Sequence, residues 1–172
     1  MDFNQEINTL PKSLIKLNFG VFFNRQLGNL LKNLDNLQEL EFGYNFNQQI
    51  LENTLPKSLI KLKFGQNFNN GVGFSKVEPL GDALFNLKNL QDLEFGNSFN
   101  QQILKNTLPE SLIKLKFGEY FNNYRKELDD AFTNLIILQE LEFGKRFNQE
   151  IINNNLTKNL KKLIFGLRYS NN

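Results

Sequence analysis

The stretch Leu59-Ile60-Lys61-Leu62-Lys63-Phe64-Gly65-Gln66-Asn67-Phe68-Asn69 decides how this chain folds. Leu62 and Phe64 stand two residues apart with lysines at positions 61 and 63. Period two is the mark of a short strand with one buried face. The glycine straight after it supplies either a positive φ or room for another backbone to pass closely. Working outward, the pattern L-x-x-L-x-F-G-x-x-[FY] starts again at Leu14, Leu37, Leu90, Leu112, Leu138 and Leu160. The glycines fall at positions 20, 43, 65, 96, 118, 144 and 166, separated by 23, 22, 31, 22, 26 and 22 residues.

All copies run in one direction and a dozen or more residues join each to the next, so neighbouring strands must pair in parallel. Such separations are those of a leucine-rich repeat, with two copies stretched. The expected fold is α/β: a right-handed solenoid spanning residues 1–172 as one domain, with a single curved parallel sheet of about seven short strands and short helices or turns on its convex side. Odd copies approach the strand through Leu-Pro-x-Ser-Leu, at 10–14, 55–59 and 108–112, where Pro fixes a tight turn; the seventh has Thr157 instead. Even copies carry Leu30-Leu31-Lys32-Asn33-Leu34, Ala83-Leu84-Phe85-Asn86-Leu87 and Ala131-Phe132-Thr133-Asn134-Leu135, whose apolar spacing of three and four predicts a short helix.

Three residues after each glycine comes an aromatic, Phe23, Phe46, Phe68, Phe99, Phe121, Phe147 and Tyr169, and Phe3 holds the same place before the first strand. Stacked coil on coil, these predict a ring spine. Asn4, Asn24, Asn47, Asn69, Asn100, Asn122 and Asn148 follow the aromatics, and an amide that both donates and accepts predicts a ladder holding the loop backbone. The alternative is a row of exposed amides that binds a polar ligand.

On the open face of the sheet, one row reads Lys16, Glu39, Lys61, Asp92, Lys114, Glu140, Lys162, and a second reads Asn18, Glu41, Lys63, Glu94, Lys116, Glu142, Ile164. At about 4.8 Å between strands, opposite charges meet across each step, and a slipped coil sets like charges together. The same face is the expected partner surface, with Lys61, Lys63, Asp92, Glu94, Lys114 and Lys116 at its centre, because open solenoid faces are common binding surfaces. The inserted loops of the two stretched coils offer a second candidate: Phe74, Lys76 and Glu78, then Tyr124 and Arg125.

Composition narrows the chemistry. The chain has no His and no Cys, which removes the commonest general base, the commonest metal ligand and any disulfide. Ser13, Ser58 and Ser111 share a register but have no imidazole to activate them, and a hydrogen bond to a neighbouring turn is their expected role. Asp129 and Asp130 are adjacent carboxylates without supporting ligands. No enzyme activity, cofactor or metal is expected. The 20 basic and 18 acidic residues are interspersed, which argues against a polyanion or a membrane surface as partner. Without a leader-like segment or a long apolar run, the expected location is the cytoplasm.

The segments Phe46-Asn47-Gln48-Gln49-Ile50 and Leu55-Pro56-Lys57-Ser58-Leu59 through Gly65 resemble the FNIP repeat, a leucine-rich-repeat variant of amoebae and of the large DNA viruses that infect them. The copies ending at Gly20, Gly65 and Gly118 match best, although Phe-Asn-Ile-Pro itself never occurs. The resemblance implies a module that binds a protein partner, in the host cytoplasm for a viral member. A structural or self-assembling role is the alternative. Neither end of the sheet has an amphipathic cap, yet head-to-tail stacking sets Lys16 beside Lys162, so a monomer is expected, with end-to-end association as the alternative.

Overall fold

A computed structural model describes residues 4–71, 80, 83–122, 128, 130–151 and 156–168. Seven strands of three residues each form one parallel sheet in sequence order: β1 Lys16–Asn18, β2 Glu39–Glu41, β3 Lys61–Lys63, β4 Asp92–Glu94, β5 Lys114–Lys116, β6 Glu140–Glu142 and β7 Lys162–Ile164. Each central Leu faces its counterpart, Leu17 to Leu40 to Leu62 and on to Leu163, and the charged flanks align in the same register. The strands are short because only three residues per coil can lie extended before the chain must turn to complete a repeat.

The core is a column of leucine and phenylalanine along the sheet axis. Phe19, Phe42, Phe64, Phe95, Phe117 and Phe143 from the strand ends and Phe23, Phe46, Phe68, Phe99, Phe121 and Phe147 from the loops are all buried. They make two parallel columns of rings rather than one. Within a coil the rings stack closely, 3.8 Å between centroids for Phe64 and Phe68; between coils the spacing is wider, 5.4 Å for Phe42 and Phe64 and 6.0 Å for Phe68 and Phe99. Each ring therefore needs neighbours above and below, and an isolated coil has no core of its own.

Among the described residues no α-helix forms and only Ala83 has 3-10 geometry, so of the short helices or turns expected on the convex side it is turns that are found, and the short helices of the even copies and the α/β label are corrected. In the second coil the chain winds through successive three-residue turns, Leu30 N–H to Leu27 O at 2.9 Å, Leu34 to Leu31 at 3.1 Å and Leu37 to Leu34 at 2.9 Å. Coils four and six repeat this, with Leu87 bonded to Leu84 and Leu90 to Leu87, then Leu135 to Phe132 and Leu138 to Leu135. A chain of such turns puts an apolar residue inward every third or fourth position, the same spacing that a helix face produces.

The motif glycines also have one reason rather than two. None of them has a positive φ; that conformation falls to Gly28, Gly71, Asn53, Asn70 and Asn106. A Cβ on Gly43 collides instead with the Gly20 carbonyl oxygen, and one on Gly96 with that of Gly65. The backbones touch where the chain leaves the strand.

Candidate functional site: the open sheet face and its flanks

Because the central Leu of β1 to β6 packs into the core, both flanking residues point outward, and the sheet register sets opposite charges side by side. Lys16 Nζ lies 2.9 Å from Glu39, Lys114 Nζ 2.8 Å from Glu140 and Lys116 Nζ 3.2 Å from Glu142. Lys63 sits between Glu41 at 3.8 Å and Glu94 at 3.7 Å, and Lys162 reaches Glu140 at 4.0 Å. Asn18 donates its amide to Glu41 at 2.9 Å, filling the place of a lysine in the second row.

Four register steps lack an ion pair among the described residues, Glu39–Lys61, Lys61–Asp92, Asp92–Lys114 and Glu94–Lys116, but Glu39, Lys114, Glu94 and Lys116 are each paired on their other side. Lys61 and Asp92 are register partners on β3 and β4, yet neither has an ion pair within 4 Å among the described residues. Shallow hollows flank this step, one of about 150 Å³ over β1 to β4 and one of about 110 Å³ over β4 to β7, and Asp92 and Glu94 line both. Of the residues singled out from the sequence, Lys61, Lys63, Asp92, Glu94, Lys114 and Lys116 are brought together here. Phe74, Lys76, Glu78, Tyr124 and Arg125 lie outside the described residues.

The tight pairs shift their own titrations. The hydrogen bond from Lys16, with its charge, holds the Glu39 carboxyl below the usual carboxylate range, and Lys114 does the same to Glu140. The reciprocal contacts hold Lys16 and Lys114 above the usual lysine value. A depressed carboxylate contributes stability above its unfolded value near 4.5 that disappears as pH falls through the lower folded value. A raised lysine contributes below about 10.5 and loses that contribution as pH rises past its folded value. The melting temperature of the parent should therefore fall through an acid arm below pH about 4.5 that is shallower in Glu39→Gln/Glu140→Gln, measured by circular dichroism against pH. Equal acid arms in the two proteins would remove these pairs from the account of stability.

Behind the face, the predicted amide ladder is present as a continuous series. The Asn4 side-chain oxygen accepts from Asn24 N–H at 2.9 Å, and Asn24 in turn from Asn47 at 2.9 Å. The series continues through Asn69 at 2.8 Å, Asn100 and Asn122 at 2.9 Å, and Asn148 at 2.8 Å. These amides are committed to backbone, which disfavours a row of free amides. Ser58 and Ser111 make the expected bonds to a neighbouring turn, donating to Leu37 O and Leu90 O, both at 2.7 Å, whereas Ser13 makes none among the described residues. Where Pro gives way to Thr157, the threonine hydroxyl and the Asn159 amide both reach Ile136 O at 2.7 Å, so a side-chain clamp replaces ring rigidity.

Sequence reasoning missed a pocket of about 470 Å³ beside the first coil, lined by Glu6, Ile7, Arg25, Gln26 and Leu30 among others. It depends on how residues 4–10 lie against the loop after β1, for which no local signal exists. Among the described residues no three acidic side chains converge as a metal site, and no helix is long and apolar enough to cross a membrane.

Comparison with known proteins agrees with this geometry. No curated protein matches. Among solved structures, a giant-virus protein described as a novel circular LRR protein, CroV588, is similar, with 35% identity over 98% of this chain and a TM-score of 0.68. The present chain spans 26% of the length of that protein. The FNIP repeat matches residues 35–70, 88–120 and 136–169, which hold β2 with β3, β4 with β5 and β6 with β7; the copy ending at Gly20, expected among the best matches, lies outside them. With well over half of its length matched and every copy stacked in one register, the chain belongs to the FNIP-repeat family.

Proposed function

We propose that this protein is a non-catalytic scaffold of the cytoplasm that binds a protein partner across the open face of its sheet. The observation that carries this reading is that Lys61 and Asp92, register partners at the centre of the face, have no ion pair on either side among the described residues, whereas the other charges of the two rows are each paired at least once. Two opposite charges held in register but not spent on each other favour a partner that carries both signs. Internal pairing on either side keeps the mean potential low, which disfavours DNA or RNA.

Same-sign charges recur at every second strand, about 9.6 Å apart at the usual strand spacing. An extended polyproline-type segment with like charges at every third residue repeats at about 9.3 Å, so such a segment lying across the strands stays in step over several coils. Exchanging the two charges, Lys61→Asp with Asp92→Lys, conserves net charge and inverts the Lys61–Asp92 step. It also sets like charges beside Glu39 and Lys114, exposed contacts that cost little, so the exchanged protein is compared at a temperature where its circular dichroism matches the parent. The partner recovered by the parent from native lysate, identified by mass spectrometry, should be lost from the exchanged protein. Equal recovery by both would place binding elsewhere.

A further inference from the structure

Asparagine followed by glycine is the dipeptide that loses its side-chain amide most readily, because a residue without Cβ lets its own backbone nitrogen reach the preceding side-chain carbonyl. The chain holds one such pair, Asn70-Gly71, in the loop after β3. The fold demands both residues. Each has a positive φ, 55° for Asn70 and 77° for Gly71, and a Cβ on Gly71 would fall 2.7 Å from Gln49 N of the coil before. Asn53 and Asn106 share that backbone region and are exposed, but Thr54 and Thr107 follow them, and a β-branched side chain shields the nitrogen.

In the folded array both reacting groups are held. Asn70 is 1% exposed, and its side-chain oxygen accepts from Ile50 N–H at 3.1 Å. Gly71 N–H, whose nitrogen is the nucleophile once deprotonated, donates to Asn47 Oδ1 at 2.9 Å. That bond has a place in the repeat. Gln48 Nε2 gives the same second bond to Asn24 Oδ1, and Gln101 Nε2 gives it to Asn69 Oδ1, both at 2.8 Å. At the third coil a backbone amide stands in for the glutamine side chain, so the amide ladder itself restrains the reactive nitrogen.

We propose that Asn70-Gly71 is a latent self-modification site, closed by the asparagine ladder in the stacked array and reactive when the loop of the third coil parts from the second. On opening, hydroxide removes the Gly71 amide proton and the nitrogen adds to Asn70 Cγ. The bond from Cγ to the side-chain nitrogen then breaks, and that nitrogen leaves as ammonia with a proton from water, which closes a cyclic imide. Water opens the imide at either carbonyl and leaves aspartate or isoaspartate at position 70. Aspartate sets a carboxylate where the amide was almost fully buried, and isoaspartate adds a methylene to the main chain that displaces Gly71 from Asn47. Either product hinders restacking, so an opening that reacts leaves a permanent mark.

Peptide mass spectrometry of the full chain, incubated in mildly alkaline buffer, reads the conversion at each asparagine. In guanidinium chloride Asn70 should convert faster than any other asparagine, and Gly71→Ala should slow it to the level of the rest, a comparison that does not require the variant to fold. In the folded parent conversion should be slower than in denaturant by about a hundredfold or more, because it waits on a local opening. Asn47→Ala, with its fold checked by circular dichroism, should speed conversion without denaturant. Asn122→Ala removes the same kind of ladder bond at a distant coil, the one from Asn148 N–H, and should leave Asn70 near the parent rate. Equal rates for the parent with and without denaturant, or a faster asparagine elsewhere in the denatured chain, would overturn the proposal. Equal acceleration by Asn47→Ala and Asn122→Ala would overturn it too, since general loss of stability, and not release of Gly71, would then set the rate.

Discussion

Gly96→Ala is expected to lower the melting temperature by about 10 °C or more, and Gly20→Ala to leave it unchanged in dilute solution. The added methyl on residue 96 falls on the carbonyl oxygen of Gly65 and close to Gln66 N, and both obstacles are backbone. A flexible side chain could swing aside; a backbone held by its own sheet cannot. The two coils must therefore separate, which strains Phe64 N–H to Glu94 O and Ser98 N–H to Gln66 O, both 2.9 Å in the native array. Overpacking of this kind costs about 3 to 5 kcal/mol at the upper end of its range. At about 2 to 4 °C per kcal/mol for a chain of this size, the shift is large and easily read by calorimetry. Gly20 has the same sequence context and no described backbone facing its missing Cβ, so it serves as the internal control. Equal shifts at both sites would mean that glycine is needed for its conformational freedom and not for contact between coils.

That distinction marks where sequence reading stops. The position of every strand was legible, because Lys61-Leu62-Lys63 before Phe64 and Gly65 alternates in and out, and because seven repetitions exclude chance. Direction and register were legible for the same reason: identical units joined by long connections can only pair in parallel, and the charge rows then align of themselves. The asparagine ladder was legible from its fixed offset to the aromatic column. The choice between positive φ and close approach was not, since both ask for glycine and only the distance between coils separates them.

The convex side fails differently. Leu27, Leu31, Leu34 and Leu37 are all buried, and their spacings of four, three and three fit a helix as well as they fit linked turns. What excludes the helix is the path: each turn closes with a bond to the third residue back, which lets the chain bend around the core instead of running straight past it. Likewise the register showed that Lys61 and Asp92 stand opposite each other but not that they leave a gap. That depends on how long side chains are drawn to the neighbouring strands, as Lys63 is to Glu41 and Glu94. Pairing positions are a property of the repeat; which pairs close is a property of each step.

Asn69→Leu is expected to destabilise the protein by about 1 to 4 kcal/mol, several degrees in melting temperature, although leucine matches asparagine closely in size. Asn69 is almost fully buried, and its side-chain oxygen accepts twice, from Asn100 N–H at 2.9 Å and from the Gln101 amide at 2.8 Å. Gln101 is itself completely buried, so water cannot take over as acceptor. Removing one oxygen thus strips the acceptor from two donors, each costing about 1 to 3 kcal/mol when left unpaired in the interior. The leucine adds apolar area to a site with ring neighbours, but that gain, about 1 to 2 kcal/mol, is the smaller term. Asn69→Asp separates the hydrogen bonds from the packing, because it keeps the accepting oxygen at nearly constant shape. At neutral pH it should melt above Asn69→Leu, despite carrying a charge into the loop. If the leucine protein melts with the parent, the amide series is ornament on a core that would stack without it, and the coils are held by leucine and phenylalanine alone.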